Sequence, residues 1–341
     1  MRLYSVGLDV HKQTIAFCVK TADGRIVREG VVAARRPALE EWVKTLPKPS
    51  VAGLETTLFS HWIYQHLKQL DVDVRMGHAA RMKAISAGKN KSDKLDARTI
   101  ADLLRANLFP ECYVIDPELG ALRRQMRFRR LMVHEEVMFR NKTAGLLMEC
   151  GVEYDGRRLH GKRYFAELLQ PLGAAGEELR PMLEFNRRQI ESLRQMNKHV
   201  IQALSRRPQL AQRVEALQKI DGVGPVTALT WALEIGDPRR FGSMRKAQSY
   251  CGLTSGQRES AGKQLRGPIS KQRNAHLQSA LIEAAKLAPM YNQTLKATHT
   301  KARERGENSN TATLEVARKL ACYLLAADRA WLAGQAGEKA A

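Results

Sequence analysis

The stretch LYSVGLDVHKQTIAFCVKTADGRIVREGVVA, residues 3–33, decides the fold of the first part of the chain. Its first apolar run ends at Asp9, and two further strand-like stretches, 14–20 and 25–33, flank a turn sequence at 22–24. Apolar stretches separated by such turn residues are typical of antiparallel strands. We therefore predict a three-stranded meander at the start of the fold.

Helix and strand patterns alternate after the meander. The sequence predicts a helix over 35–46, a strand over 51–55, a helix over 58–70 and a strand over 72–76. Antiparallel strands followed by alternating helices and strands indicate an α/β layer fold. In open sheets of this kind, functional residues collect beyond the carboxyl ends of the parallel strands.

Four carboxylates lie at strand ends or at a helix start. Asp9 and Glu55 each end an apolar strand, and Ser92 is a candidate N-cap for a helix whose first turn carries Asp93 and Asp96. Acids in a first turn also suit the helix dipole, but the dipole does not explain the two acids at strand ends. Carboxylates held close together repel one another unless a cation lies between them. Because oxygen ligands suit Mg²⁺ or Mn²⁺, we predict a divalent metal site of the kind that assists phosphodiester chemistry.

The chain is strongly basic. Its 341 residues include 56 Lys and Arg against 35 Asp and Glu, a net charge of +21. This excess most simply indicates a polyanionic partner, and an inert basic surface is the alternative. Arg123, Arg127 and Arg130 share one face of a predicted helix and are candidates for phosphate contacts, with a solvated helix face as the other interpretation.

Two long polar stretches, 118–150 and 176–217, have helical spacing of their apolar residues. A segment containing Gly and Pro, 151–176, separates them. The pattern predicts an antiparallel helical arm or coiled coil, which is commonly a dimerisation device. A plain helical bundle is the alternative.

Residues 217–228, LQKIDGVGPVTA, are similar to a helix-hairpin-helix turn. Gly222 and Gly224 would let the backbone approach a phosphate, and the following helix would offer unpaired N–H groups. A basic stretch follows, with nine Lys and Arg against one acid over 239–273. We therefore predict non-specific contact with a DNA backbone in preference to a purely structural turn.

The segment 250–268 is rich in small residues and cations and is predicted to be a loop. A serine that attacks phosphorus needs an open backbone and nearby cations, and Ser260 has both in sequence. A loop serine is more often a turn or cap residue, so spacing alone favours that role. The candidate nucleic-acid contacts in and after this segment are Arg258, Lys263, Arg266, Lys271 and Arg273.

Composition excludes several other classes of protein. The five cysteines are scattered without CxxC spacing, which argues against a disulfide framework and a zinc knuckle. No apolar run approaches the roughly 18 residues of a membrane span, and the chain opens on a strand pattern instead of a signal peptide. We therefore expect a cytoplasmic protein with reduced cysteines.

Four motifs occur in order along the chain: GLDVHK at 7–12, GLETT at 53–57, KSDKLDA at 91–97, and the segment 252–267. Together they resemble the DEDD transposases of bacterial insertion sequences, relatives of the pilin-gene invertases. The resemblance spans nearly the whole chain. It implies an RNase H-like, RuvC-like domain, a helical linker, which corresponds to the predicted dimerisation arm, and a mainly helical transposase domain. We place these parts at 1–112, 113–212 and 213–341.

The resemblance also implies roles for single residues. The four acids would bind the metals, and Ser260 would be the nucleophile that forms a covalent phosphoserine link to DNA. Ser255 stays a second candidate, because Ser255 and Ala261 stand where the family often has Pro and Gly. The family pattern further implies a structured non-coding RNA as guide, dimers that pair into tetramers, and association with the bacterial nucleoid.

We therefore predict a DNA recombinase whose acidic metal site and serine nucleophile meet across domains or subunits. A metal-dependent, structure-selective nuclease without a covalent serine step is the nearest alternative. An actin-like kinase would share the first hairpin, but the basic helical second half argues against it. A non-catalytic nucleic-acid-binding protein would leave the four acids unexplained, since acids repel phosphates.

Overall fold

The computed structural model describes residues 3–85, 92–169, 173–260 and 263–338. The side chains of 173–175, 177, 257–260, 263–266 and 336–338 lie outside that description. The chain divides into two compact units, Met1–Pro117 and Glu118–Ala341. The three-part division at residues 112 and 212 stays a prediction. No helix in the described ranges is long and apolar enough to cross a membrane.

The first unit is a five-stranded sheet with helices. Its strands are β1 Tyr4–Val10, β2 Thr14–Lys20, β3 Ile26–Ala33, β4 Ser50–Glu55 and β5 Asp73–Gly77, and its helices are α1 Arg36–Lys44, α2 Ser60–Gln69, α3 Ala79–Ile85 and α4 Asp93–Arg105. The strand order is β3-β2-β1-β4-β5. Strand β1 pairs antiparallel with β2 and parallel with β4, which pairs parallel with β5. The predicted meander and the alternation after it are confirmed.

The two faces of this sheet are packed differently. On one face, Leu8 of β1 belongs to a buried cluster with Trp42 of α1 and Leu67 of α2. On the other face the residues are small, and α4 approaches so closely that a Cβ on Gly7 would lie 1.9 Å from the carbonyl oxygen of Ala97. This close approach fixes the start of α4 relative to the end of β1.

The second unit is mainly helical. Its helices are α5 Pro117–Glu149, which begins at the last residue of the first unit, α6 Lys162–Leu168, α7 Gly173–Ser205, α8 Pro208–Gln218, α9 Pro225–Ile235, α10 Met244–Tyr250, α11 Ala275–Leu287, α12 Gln293–Glu304 and α13 Ser309–Glu338. Short 3-10 helices cover Pro238–Arg240 and Ala288–Met290, and β6 Ser255–Ser260 pairs with β7 Lys263–Ile269. A mixed α/β first unit and a helical second unit agree with the predicted fold class.

Helices α5 and α7 pair with each other in antiparallel directions. Arg194 on α7 donates to Glu136 on α5 at 2.8 Å, and the rings of Phe139 and Phe185 lie 6.0 Å apart. The stretch 176–217, predicted to be helical, is divided between α7 and α8, because the chain breaks after Ser205 and a new helix starts at Pro208. Proline has no N–H to continue a helix but suits the first turn of the next one. The coiled-coil interpretation stays a prediction.

The segment predicted as a loop is instead an antiparallel hairpin. Strands β6 and β7 pair from Ser255 opposite Ile269 to Ser260 opposite Lys263, with an irregularity near Gly256. Its sequence lacks the alternation of apolar and polar residues by which a strand is normally recognised. Backbone pairing therefore forms the hairpin without a sequence signal of that kind.

Helix α9 forms the centre of the second unit. Every residue from Thr227 to Ile235 is buried. Beside this helix, the buried carboxylate of Asp328 accepts hydrogen bonds from Arg213 at 2.7 and 2.6 Å and from the Trp231 indole at 2.9 Å. Because both carboxylate oxygens of this buried charge pair accept hydrogen bonds, the pair can be held in the interior, and it ties α9 to α8 and α13.

Candidate metal centre and nucleic-acid interface

The acidic site is built on the end of β1. In the parallel pair of β1 and β4, Leu8 lies opposite Leu54. The next residue on each strand is an acid, Asp9 and Glu55, so both stand at the same edge of the sheet. Both residues are partly buried.

Helix α4 brings two more acids to this edge. The Ser92 side chain accepts a hydrogen bond from the Leu95 N–H, which confirms the predicted N-cap. Asp93 and Asp96 therefore lie in the first turn, near the end of β1. His11 joins them, with Nε2 3.1 Å from Oδ2 of Asp9 and 3.3 Å from Oδ1 of Asp93.

The pKa of Asp9 is raised above its ordinary value. Burial is the main cause, and the charges of Asp96 and Asp93 act in the same direction, whereas contact with His11 lowers the pKa. Asp96 is thus close enough to Asp9 for their charges to interact. The centre holds more negative charge than one histidine compensates, which is the electrostatic condition under which a cation binds.

The residues present fit a divalent cation. Single ligand atoms of Asp9, His11 and Asp93 all lie within 4.8 Å of one another. Cations of this class bind oxygen at about 2.0–2.6 Å, so one ion can contact ligand atoms separated in this way. Among the described residues, Glu55 and Asp96 lie outside that close group. Their assignment as ligands stays a prediction.

The predicted helix-hairpin-helix element consists of α8, a turn over 219–224, and α9. Gly222 has φ +91°, and an added Cβ would lie 2.8 Å from Cα of Ala288, so this position requires glycine. Gly224 is the N-cap of α9 and has open space where a side chain would be. A ligand can therefore approach the backbone at Gly224, whereas Gly222 serves the packing of the turn.

The predicted arginine stripe on α5 is partly engaged within the protein. Arg127 makes two hydrogen bonds of 2.7 Å to the buried carboxylate of Glu234. Burial would raise the pKa of Glu234, but the hydrogen bonds from Arg127 and Asn274 hold it below its ordinary value. Arg130 donates to the carbonyl oxygen of Ala275 at 3.0 Å. Contacts of Arg123, Arg127 and Arg130 with nucleic acid stay predictions.

The hairpin of β6 and β7 carries the candidate nucleophile, and the structure describes its backbone. In the register of the two strands, Ser260 lies opposite Lys263. The side chains of Ser260, Arg258, Lys263 and Arg266 lie outside the described part, as does Ala261 entirely. Lys271 and Arg273 follow the hairpin and are exposed, and Arg273 donates to the carbonyl oxygen of Ser270.

Two family matches cover most of this architecture. Residues 6–151 match a family described as "Transposase", whose label names DEDD and IS110. Residues 214–300 match the "Transposase IS116/IS110/IS902 family". The chain belongs to this family of DEDD transposases.

Curated relatives agree over most of the transposase's length. A "Probable family 20 transposase" of Pseudomonas aeruginosa is 27% identical over 299 residues, which cover 84% of each chain. The "Transposase for insertion sequence element IS1111A" of Coxiella burnetii is 25% identical over 82% of this chain and 76% of its own. The chain is thus an insertion-sequence transposase, an enzyme that cuts DNA, and its DEDD family implies a divalent metal.

The transposase centre contains one residue that the sequence reasoning did not assign to it. His11 belongs to the GLDVHK motif, and its ring contacts two of the four acids. Its position follows from the chain reversal between β1 and β2, where the N–H of His11 bonds to the carbonyl oxygen of Thr14. A polar residue two positions after a strand-end acid is the signal that could have identified it.

Proposed function

We propose that the transposase cuts and rejoins the DNA ends of its insertion sequence at the centre formed by Asp9, Glu55, Asp93 and Asp96. The observation that carries this proposal is the convergence of Asp9 and Asp93, with Asp96 close by, at the end of β1. The centre belongs to a RuvC-like variant of the RNase H-like fold, and the strand order β3-β2-β1-β4-β5 supports that assignment.

In this proposal the four carboxylates hold Mg²⁺ or Mn²⁺, which when bound supplies positive charge to the phosphate oxygens and the leaving oxygen. Asp9 and Asp93 offer oxygen atoms that bind the cation. His11 touches both carboxylates and keeps them in one orientation. Asp9 is partly buried, which strengthens its charge interactions, whereas His11 and Asp93 are exposed.

Ser260 is the proposed nucleophile. Its hydroxyl oxygen would form a bond to phosphorus while one P–O bond of the DNA backbone breaks, which leaves a phosphoserine link and a free hydroxyl on the DNA. The support is its place opposite Lys263 in the hairpin, because a cation stabilises charge that develops on the phosphate. Ser255 at the start of β6 is the second candidate.

A structured RNA and a second copy of the chain are the proposed partners besides DNA. The net charge of +21 supports a nucleic-acid partner in general. Exposed apolar side chains on one face of each arm helix support self-association, namely Phe128, Leu131 and Met138 on α5, and Met182, Phe185 and Met196 on α7. Light scattering on the purified protein, before and after ribonuclease treatment, would measure the mass of both assemblies.

The experiment that tests the proposed function is capture of a covalent intermediate. The protein is incubated with Mg²⁺, element-end DNA and flanking RNA, denatured, and digested for mass spectrometry. We expect a DNA adduct on the peptide that contains Ser260, and loss of the adduct in Ser260→Ala but not in Ser255→Ala. If the adduct persists in Ser260→Ala and maps to Ser255, then Ser255 is the nucleophile.

A nuclease that uses water is the second candidate function. It is favoured by one observation, that the acidic centre lies wholly within the first unit and has the ligands for metal-assisted hydrolysis. In that case the same experiment would give Mg²⁺-dependent cleavage in wild type and Ser260→Ala alike, with no adduct on either serine.

A further inference from the structure

A cavity in the second unit lies beside the helix-hairpin-helix turn. Its volume is about 680 Å³, within the range of pockets that bind small molecules and too small for a duplex. Helices α5, α9 and α11 and the turn contribute its walls. Four of the ten predicted nucleic-acid contacts, from two distant parts of the sequence, line it together: Arg127, Arg130, Gly222 and Gly224.

One side of the cavity carries hydrogen-bond donors. The Nε of Arg129 is shielded from solvent and has no hydrogen-bond partner among the described residues. Arg130 uses part of its guanidinium on the Ala275 carbonyl, and a guanidinium has five N–H donors in all. The first turn of α9, at Val226 and Thr227, also lines the cavity, and the first N–H groups of a helix have no acceptor within it. This side is suited to an anion.

The remaining wall is mostly apolar and ends in an exposed aromatic ring. The two acids that line the cavity, Glu234 and Glu283, are paired with Arg127 and Lys286. Val133, Val223 and Leu287 line the interior. Tyr291 stands at the edge with 66% of its surface exposed. An aromatic ring in such a position offers a face on which a nucleobase can stack.

We propose that this cavity binds one unstacked nucleotide of a single-stranded nucleic acid, with the phosphate at Gly224, Arg129 and Arg130 and the base against Tyr291 and Leu287. The inference rests on the proposed function in one respect, that the protein acts on nucleic acid. An apolar protein segment would use the apolar wall but would leave the buried Arg129 donor without a partner. A nucleotide satisfies both sides of the cavity and suits a chain of net charge +21.

The test compares binding of fluorescent single-stranded oligonucleotides, as DNA and as RNA of one sequence, by anisotropy. Tyr291→Ala removes the stacking face, and Ala280→Phe fills the cavity without a change of charge. Met290→Ala is the matched control, because Met290 is the adjacent residue, is 67% exposed and does not line the cavity. Circular dichroism and thermal unfolding verify that each variant is folded.

We expect Tyr291→Ala and Ala280→Phe to weaken single-strand binding about tenfold, the effect of one lost base stack. Met290→Ala should bind as wild type, and a photoreactive iodouracil in the oligonucleotide should crosslink to Tyr291. A larger loss with RNA than with DNA would identify RNA as the source of the nucleotide, and the reverse would identify DNA.

Equal binding by all variants, or a crosslink that maps outside the cavity, would overturn the proposal. So would a change in oligomer mass in the cavity variants without a change in oligonucleotide binding, because that result indicates a protein occupant. Mg²⁺-dependent cleavage of duplex DNA is measured on the same samples. If cleavage persists while single-strand binding is unaffected, only this inference fails; if wild type does not cleave, the proposed function fails.

Discussion

Asp9, Asp93 and His11 form the close group at the end of β1 where we propose that the cation binds. Replacing Asp93 by Asn removes one negative charge from the group whose ligand atoms lie within 4.8 Å of one another. We expect Mn²⁺ affinity to fall about 10-fold or more in Asp93→Asn, as measured by electron paramagnetic resonance of free Mn²⁺.

Asp102 provides the matched control for this measurement. It lies on the same helix but is paired with Lys20 at 2.5 Å. Asp102→Asn should retain wild-type Mn²⁺ affinity, since its carboxylate is not part of the close group. Equal affinity in Asp93→Asn and wild type would show that the cation is held elsewhere.

The lowered pKa of Glu234 predicts that the stability of the second unit depends on pH. Its folded-state pKa lies below the ordinary 4.5, so its pairing with Arg127 stabilises the fold above pH 4.5 and is lost as the pH falls through the lowered pKa. Glu234→Gln should therefore cost about 1–2 kcal/mol at pH 7, a value discounted because Arg127 is 40% exposed. Thermal unfolding from pH 7 to pH 3 measures the difference between variant and wild type.

We expect that difference to shrink as the pH falls below about 4.5, where the unfolded chain takes up a proton on Glu234, and to vanish below the lowered pKa, where the folded protein takes it up as well. Glu167→Gln is the control, because Glu167 pairs with a highly exposed arginine, Arg163. It should change stability little at any pH. A difference for Glu234→Gln that grows at low pH would refute the assigned direction of the pKa.

At the scale of elements, the packing of α4 on β1 assembles the acidic centre. A Cβ on Gly7 would lie 1.9 Å from the Ala97 carbonyl oxygen and 2.6 Å from the Ala101 nitrogen, and backbone atoms cannot move aside cheaply. Gly7→Ala should destabilise the first unit by about 3 kcal/mol and should also weaken Mn²⁺ binding, because α4 carries Asp93 and Asp96. Chemical denaturation and metal titration measure both effects.

Gly145→Ala is the matched glycine control. Gly145 lies within helix α5, and a Cβ there would meet no atom within 4 Å. Because alanine favours a helix over glycine by about 1 kcal/mol, this variant should be neutral or slightly stabilised. If Gly7→Ala behaved like Gly145→Ala, the close contact between α4 and β1 would not exist.

The elements of the first unit were largely predictable from the sequence, and those around the serine were not. Apolar stretches separated by turn residues predicted β1 to β3, and Ser92 marked the start of α4 correctly. The hairpin of β6 and β7 has no such apolar stretches, so its backbone pairing left no comparable signal. The partner of Arg127 was also beyond prediction, because Glu234 is distant in sequence and reaches it only through the fold.

At the scale of the whole molecule, the net charge of +21 governs affinity for nucleic acid. Binding that releases counterions weakens steeply with salt, and each phosphate contact contributes about 0.9 to the slope of log affinity against log salt on duplex DNA. The double variant Lys271→Ala, Arg273→Ala should lower that slope by about 2. Filter binding at salt concentrations between about 50 and 200 mM measures this slope.

A control for general charge is available on α6. Arg163→Ala removes an exposed cation that is paired with Glu167 and lies outside the predicted contacts. It should leave the slope unchanged. If the double variant had the wild-type slope, Lys271 and Arg273 would not be phosphate contacts.

Strand cleavage of element-end DNA in the presence and absence of Mg²⁺ tests the central claim, that the acids at the end of β1 form the metal-dependent cutting site. Wild type, Asp9→Asn and the paired-acid control Asp102→Asn are compared, with DNA binding measured on each sample. The account predicts Mg²⁺-dependent cleavage by wild type and Asp102→Asn, and no cleavage by Asp9→Asn despite retained binding. Cleavage by Asp9→Asn at the wild-type rate would contradict it.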